Sequence, residues 1–564
     1  MRKALLLLTL VAGCSRGPCV RHAQPQVLGR LEAEPAREAR VTAERIVFHP
    51  VRLDAQGLLL PAQPTEAPFA DVARLGFSAF VSMKEIETGK KPYYSASMFK
   101  PVGPNEFAPG GWLHNPPGLA AMLVRSSLRW YAWGGDRAPI EHTRAFVDHV
   151  LLHGLTAESD AWSRVPYSSA NGGELEYKGG NDLKYCDLHD ACGRGDGPGF
   201  LEPDKIGELG HALVLLYRFT GEQTYLEHAL RFADQLARHR GEGDGKRSPW
   251  PFRVDAKTNT VVREPYTSNW IFTVAFFDEL SALGKTTPEH QAARAATWAW
   301  LRKYPLETMH WQGFFEDIPI YLEPGTNPNQ YSAGETARYL LDHPEADPKS
   351  LELARKTVRW IDKTFTVDVD APNFGKTPGH WHGAEVISEQ GADMAKMSSH
   401  TARYASLLAR IYERTGETDL RFRAFRSFSW ATYCVDPNGV VKIGPDDREG
   451  YWFSDGYGDF MIHYLDGMAS VPAWAPAREA HVLRTSDVLR EVTFTTTSLS
   501  YKGTGPGHEE IRLPGAPTVS FPNTIAGGKP GTFKATPIPS GGVLLTIDRA
   551  APEVLAPEVL VTWK

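Results

Sequence analysis

The sequence predicts a mainly α protein: six helical hairpins closed into an (α/α)6 toroid, followed by a small β-sandwich. Three observations carry this. Apolar residues recur at helical spacing from about residue 70 to 475. The helices come in pairs joined by short polar turns. After about residue 480 the pattern switches to period two.

The clearest pair begins at "PDKIGELGHALVLLYRFTGE", where Ile206, Leu209, Leu213, Leu216 and Tyr217 form one stripe and Pro203 occupies a first helical position. "TYLEHALRFADQLARH" is its partner helix. The same arrangement recurs in "LRWYAWGGDRAPIEHTRAFVDHV", "FFDELSALGKTTPEHQAARAATWAWL", "ARYLLDHPEADPKSLELARKTVRWI" and "RIYERTGETDLRFRAFRSFSW". Two helices remain, near 71–85 and from about Gly458. They lie at opposite ends of the array, so pairing them makes a sixth hairpin and closes a ring. An open solenoid is the alternative.

Turns within hairpins are short, whereas the connections between them are long: roughly 86–114, 155–202, 240–267, 306–330, 366–390 and 436–457. In a closed ring these all emerge at one end, where long loops carry function. They contain "GGWLHNPPG", "SPWPFRVD", "EPYTSNW", "MHWQGFFEDIP", "HWHGAEVISEQG" and "EGYWFSDGYG", each with aromatic rings beside polar or charged groups. The expected division is 1–13 signal peptide, 14–65 tether and N-terminal extension, 66–480 barrel and 481–564 β-sandwich, the last from "LREVTFTTTSLSY" and "GGVLLTI".

The chain has 564 residues, 42% hydrophobic and 23% charged, in the ordinary range for water-soluble domains. Its net charge of -6 gives no basic footprint, which excludes a nucleic acid partner. No Walker or Rossmann pattern stands between a strand and a helix, and no cofactor is expected. "MRKALLLLTLVAGC" has a basic start, an apolar run too short to span a membrane and small residues before Cys14. It resembles a bacterial lipobox, which implies cleavage before Cys14, acylation of that cysteine and a membrane-anchored lipoprotein, with the outer membrane or cell surface favoured. In an exported chain Cys186 and Cys192 are expected to form a disulfide; zinc held with His189 is the alternative. No metal site is expected; His380 and His382 in "GHWHG" have no matching third ligand.

With the hairpins, the "TGE/GGD" turns and the aromatic–acid loops in place, residues 66–564 resemble the six-hairpin glycosidase-like superfamily. That resemblance implies a carbohydrate substrate and a carbohydrate-active enzyme, with a glycoside hydrolase first. Hydrolysis needs two carboxyl groups facing across a sugar. Glu389 in "ISEQG" and Asp455 in "FSDGYG" form the first pair, followed by Asp317, Glu208 and Asp459; the alternative for each acid is a capping or hydrogen-bonding role, with Asp455 or Asp459 capping the final helix and Glu389 the helix after it. Trp250, Trp311, Trp452, Tyr457 and Tyr167 are candidate sugar platforms, and Arg253 a candidate clamp for a uronate. A lyase or epimerase would instead use His382, Tyr457, Asn269 and Arg253. A non-catalytic glycan-binding lipoprotein would present the same rim.

Overall fold

A computed structural model describes residues 40–41, 47–83, 98–103, 106–109, 113–170, 175–179, 197–262, 264–314, 327–367, 381–391, 397–445, 452–453, 456–522, 531–550 and 558–564. All fall in one compact unit, 33–564. The candidate residues Cys14, Cys186, Cys192, Asp317 and Asp455, and the ring of Trp452, lie outside this set.

The helices are α1 Pro68–Ser82, α2 Pro116–Gly134, α3 Ala138–His153, α4 Pro203–Thr220, α5 Gln223–His239, α6 Ile271–Ala282, α7 Pro288–Lys303, a single turn α8 Pro305–Thr308, α9 Gln330–Asp342, α10 Ser350–Phe365, α11 Ser398–Thr415, α12 Thr418–Thr432 and α13 Met461–Ser470. α2/α3, α4/α5, α6/α7, α9/α10 and α11/α12 are the five expected hairpins. α1 packs on α13 and supplies the sixth. The inner helices α2, α4, α6, α9, α11 and α13 each touch the next, and α13 returns to α2. The ring is therefore closed, an (α/α)6 toroid.

Local chemistry explains the recurrent turn sequences. Gly135, Gly221 and Gly416 end α2, α4 and α11 with φ of 78°, 80° and 74°, where a side chain would clash with the backbone. Each donates its N–H to a carbonyl of the last helical turn, from Tyr131, Tyr217 and Tyr412 respectively. At the other end of α2, Asn115 accepts from the Gly118 N–H at 3.0 Å.

The six long connections all lie at the end where the inner helices begin, and each is hydrogen-bonded to the next. Leu113–His114 pair with Ser169–Ala170, and Phe200–Leu201 with Val254–Asp255. Ser268 N donates to Gln312 O, Asn329 bridges Gln390, Ser398 N donates to Ile443 O, and Trp452–Phe453 pair with Met98–Phe99. This collar is the mouth of the toroid.

The C-terminal part forms two antiparallel four-stranded sheets. One is ordered His481–Thr485, Gly507–Leu513, Val543–Arg549, Gly531–Pro537; the other Arg490–Phe494, Ser498–Lys502, Glu558–Trp563, Pro517–Ser520. Leu499, Ile511, Leu545, Ile547, Val559 and Val561 fill their core together with Tyr131 and Phe219, from the C-terminal ends of α2 and α4. The sandwich thus packs on the end of the toroid opposite the mouth, its base. Arg490 Nε donates to the carbonyl of Arg218, completing the last turn of α4.

Candidate active site

Each inner helix presents its first turns to the collar, and two polar clusters gather there. The first is built on α4. Asp204, Lys205 and Glu208 are fully buried, and Asn269, just before α6, donates its single amide nitrogen to Asp204 Oδ2 and Glu208 Oε1, both at 2.7 Å. Lys205 Nζ lies 3.4 Å from Asp204 Oδ2 and 4.1 Å from the centre of the Phe314 ring. Glu208 Oε2, Asp204 Oδ1 and Asn269 Oδ1 have no hydrogen-bond partner among the described residues. Burial pushes the Glu208 carboxyl up, and Lys205 and Arg125 oppose this without cancelling it. It is thereby biased toward the protonated form, a proton donor.

α4 can bring this acid so near its neighbours because Gly207 and Gly210 carry no side chain. A Cβ at Gly207 would meet Thr273 Oγ1 at 2.0 Å, and one at Gly210 would meet the Phe276 ring at 2.6 Å.

The second cluster is centred on Arg403 of α11, fully buried. Its Nε donates to Glu335 Oε1 at 2.8 Å, and its Nη1 to Gln330 Oε1 at 3.0 Å and to His400 Nδ1 at 2.6 Å. Its Nη2 donates to Asp459, and the guanidinium lies 4.5 Å from the centre of the Tyr331 ring. Burial opposes ionisation of Asp459, but Arg403 outweighs it and holds the carboxyl well below the usual range. Glu335 is likewise lowered against burial, by Arg338 and Arg403. His400 Nε2 lies 3.5 Å from Glu389 Oε2, and the Glu389 carbonyl accepts the Gln330 N–H at 2.7 Å. Glu335, Asp459 and His463 stand close enough to share a metal ion, but Arg403 and Arg338 already supply positive charge to this group.

Between the clusters stand Arg125 and Tyr331. Arg125 lies 3.9 Å from the centre of the Phe272 ring, its Nη2 is 3.5 Å from the Tyr331 hydroxyl, and its Nη1 has no hydrogen-bond partner among the described residues. Burial, then the field of Glu208, raises the Tyr331 hydroxyl well above its ordinary value. Met122, Phe314 and Tyr331, with Phe272 against them, form a small apolar patch separate from the main core. The mouth thus combines a carboxyl raised by burial, carboxyls lowered by neighbouring arginines, guanidinium groups and an apolar patch.

Of the residues expected from sequence, Glu389, Asn269, Glu208 and Asp459 fall in these clusters. Asp459 does not cap the final helix; it sits in a π-helical turn, Gly456–Phe460, paired with Arg403. Several aromatic platforms are corrected. Trp250 is fully buried, tilted against Trp270 and donating to Leu236 O at 3.0 Å, and Trp311 is 1% exposed. Tyr457 is stacked on Phe80 and its hydroxyl accepts the Val441 N–H at 3.3 Å. These rings fill walls and have no free face for a sugar. Tyr167 is 8% exposed, and burial raises its hydroxyl. Arg253 is fully buried between Glu202, at 3.6 Å, and Glu264, at 3.5 Å, and so ties two connections together. His382 has φ of 52° and gives its carbonyl to Leu59 N, outside the ring beside the α12 face that Trp381 meets through Trp430. Arg125, Lys205, Tyr331, His400 and Arg403 were not anticipated.

Solved structures of several carbohydrate-processing proteins are similar to this chain. A D-mannose isomerase aligns over 73% of this chain and 100% of its own, at 12% identity and a TM-score of 0.50. A cellobiose 2-epimerase from Spirochaeta thermophila aligns over 72% and 96%, at 14% identity and 0.49. A family 76 glycoside hydrolase from a bovine Bacteroides thetaiotaomicron strain aligns over 72% and 77%, at 11% identity and 0.45. No family model matches the chain, and no curated protein matches it by sequence. The D-mannose isomerase shares the (α/α)6 toroid with this chain.

Proposed function

We propose that this protein is a carbohydrate-active enzyme, a glycoside hydrolase whose acid is Glu208 and whose base is Glu389. The observation that carries the reading is Glu208: a buried carboxyl, raised by that burial, with one oxygen fixed by Asn269 and the other without a hydrogen-bond partner among the described residues. A buried polar atom without a partner is costly unless a ligand satisfies it. Alternating donors and acceptors at the mouth, among them Asn269 Oδ1, Gln330 Nε2 and Arg125 Nη1, suit hydroxyl groups, which both give and accept. The Met122–Phe314–Tyr331 patch suits the C–H face of a pyranose.

In the proposed step Glu208 gives its proton to the leaving glycosidic oxygen as the C–O bond breaks. Glu389 takes a proton from the water whose oxygen attacks the anomeric carbon. Glu208 ends ionised and Glu389 protonated, and transfer through solvent restores both. A second reading, proton transfer on an open-chain sugar by an isomerase or epimerase, is favoured by one observation: His400 stands beside Glu389 and offers an additional proton-carrying group.

The test is incubation of the protein with a panel of oligosaccharides and free sugars, following new reducing ends and altered monosaccharides by chromatography, with Glu208→Gln and Glu389→Gln beside it. New reducing ends abolished in both variants support hydrolysis. Sugars converted without new reducing ends support isomerisation. Neither product on any sugar counts against an enzyme. Lipidation at Cys14 is proposed as well: cells fed a labelled fatty acid should label the wild-type chain and not Cys14→Ala, and label in both would refute the anchor.

A further inference from the structure

We infer that Arg403 is a positioning residue that fixes the His400 proton on Nε2, so that His400 donates toward Glu389 and Glu389, not His400, is the proton acceptor. The second half rests on the function proposed above; the first half stands on geometry alone. A guanidinium has N–H groups and no acceptor. Arg403 Nη1 lies 2.6 Å from His400 Nδ1, so Nδ1 must be the accepting nitrogen. A neutral imidazole then carries its proton on Nε2, which faces Glu389 Oε2 at 3.5 Å.

The other tautomer meets two conflicts. It sets an Nδ1 proton against the Arg403 N–H, and it leaves Nε2 and the Glu389 oxygen facing each other with lone pairs. Only Gln330 Oε1, 3.0 Å from Nδ1, would welcome it, and that oxygen already accepts from Arg403 Nη1 at the same distance. Nor can Arg403 withdraw. Glu335 and Asp459 hold its other N–H groups, Tyr331 covers one face, and a Cβ in place of Gly334 would come within 2.9 Å of its Cδ.

The tautomer is read without any substrate, by two-dimensional NMR of protein labelled with 15N-histidine, with His400→Gln identifying the signal. A protonated Nε2 and an unprotonated Nδ1 are expected in the wild type, and a change in that pattern in Arg403→Gln. An Nδ1-protonated His400 in the wild type overturns the assignment even if the Arg403 variant fails to fold, and so does a pattern that Arg403→Gln leaves unchanged. On any sugar that the panel shows to be turned over, Glu389→Gln should lose at least about ten times more kcat than His400→Gln, since a proton acceptor contributes more than the group that orients it. Equal or reversed losses overturn the choice of Glu389. Because the tautomer needs no turnover, failure of this inference and failure of the carbohydrate reading are distinguished.

Discussion

The mouth and the base of the toroid are both built from buried charge, but they dispose it differently. At the base, Arg218 meets Asp487 and Glu279, Arg484 meets Glu413 and Glu510, and Arg549 meets Asp487 and Glu509. Each of these carboxylates has a cation within hydrogen-bond reach, and several belong to the sandwich. At the mouth, Glu208, Asp204, Asn269 and Gln330 each keep a polar atom without a hydrogen-bond partner among the described residues. Paired burial fixes one element against another, whereas incompletely paired burial costs stability and is worth keeping only where a ligand completes it. The unmet groups at the mouth are the reason the proposed chemistry is placed there, while the paired charges at the base fix the sandwich to the toroid.

The largest effect that would sharpen this contrast is on activity. Glu208→Gln should lower turnover by about 100- to 10,000-fold while leaving the melting temperature unchanged or higher, because it removes a buried carboxyl with an unmet oxygen. A variant that unfolds but, when folded, turns over normally would erase the distinction. Next, Asp487→Ala at the base should do the converse. It strips a fully buried partner from Arg218 and Arg549 and should cost about 3–5 kcal/mol in calorimetry, with turnover per folded molecule intact.

Smaller, and opposite in sign at the two ends, are the responses to pH. Burial, only partly offset by Lys442, raises the mouth residue Asp436 to about 6 from an ordinary 3.8. Its raised value means that the native state holds the proton more tightly, so its contribution is full below about 3.8 and is lost as pH rises through about 6. At the base, burial works against ionisation of Glu413, but hydrogen bonds from Arg484 prevail and lower it to about 2 from 4.5. Its contribution is present above about 4.5 and lost as pH falls toward about 2. Melting curves against pH should therefore show Asp436→Asn gaining on the wild type as pH rises from 4 to 7, and Glu413→Gln losing ground over the acid range up to 5. Parallel curves for both variants would dissolve the contrast.

The hairpins were legible because their signals are local. A stripe at helical spacing, a proline at the first turn and a glycine at the last each act within a few residues, and the sixth hairpin followed from two unpaired helices. The candidate site was legible only in part, as carboxylates and an amide in the long connections or the first helical turns: Glu389, Asn269, Glu208 and Asp459. Trp250, Trp311 and Tyr457 misled because the connections lie on one another, so rings near glycines and acids became wall instead of rim. His400 and Arg403 were invisible for the opposite reason: "SSHTARY" is ordinary helical text, and only the closed ring brings Asp459 and Gln330 to it.

Ring closure also governs how the chain can be assembled. The α1–α13 hairpin joins residues nearly 400 positions apart, so no partial chain ending before about residue 460 can contain it. Until then the flank of α11 that α13 will cover stays open, and so does the face of α1 at Phe69 and Gly76, which Tyr464 and Met461 of the closing helix will meet. A growing chain meets that closure entropy only once, at the end. The last helix of the barrel is therefore its keystone: a truncation there removes a tenth or less of the toroid's helical residues yet returns the whole to an unclosed arc.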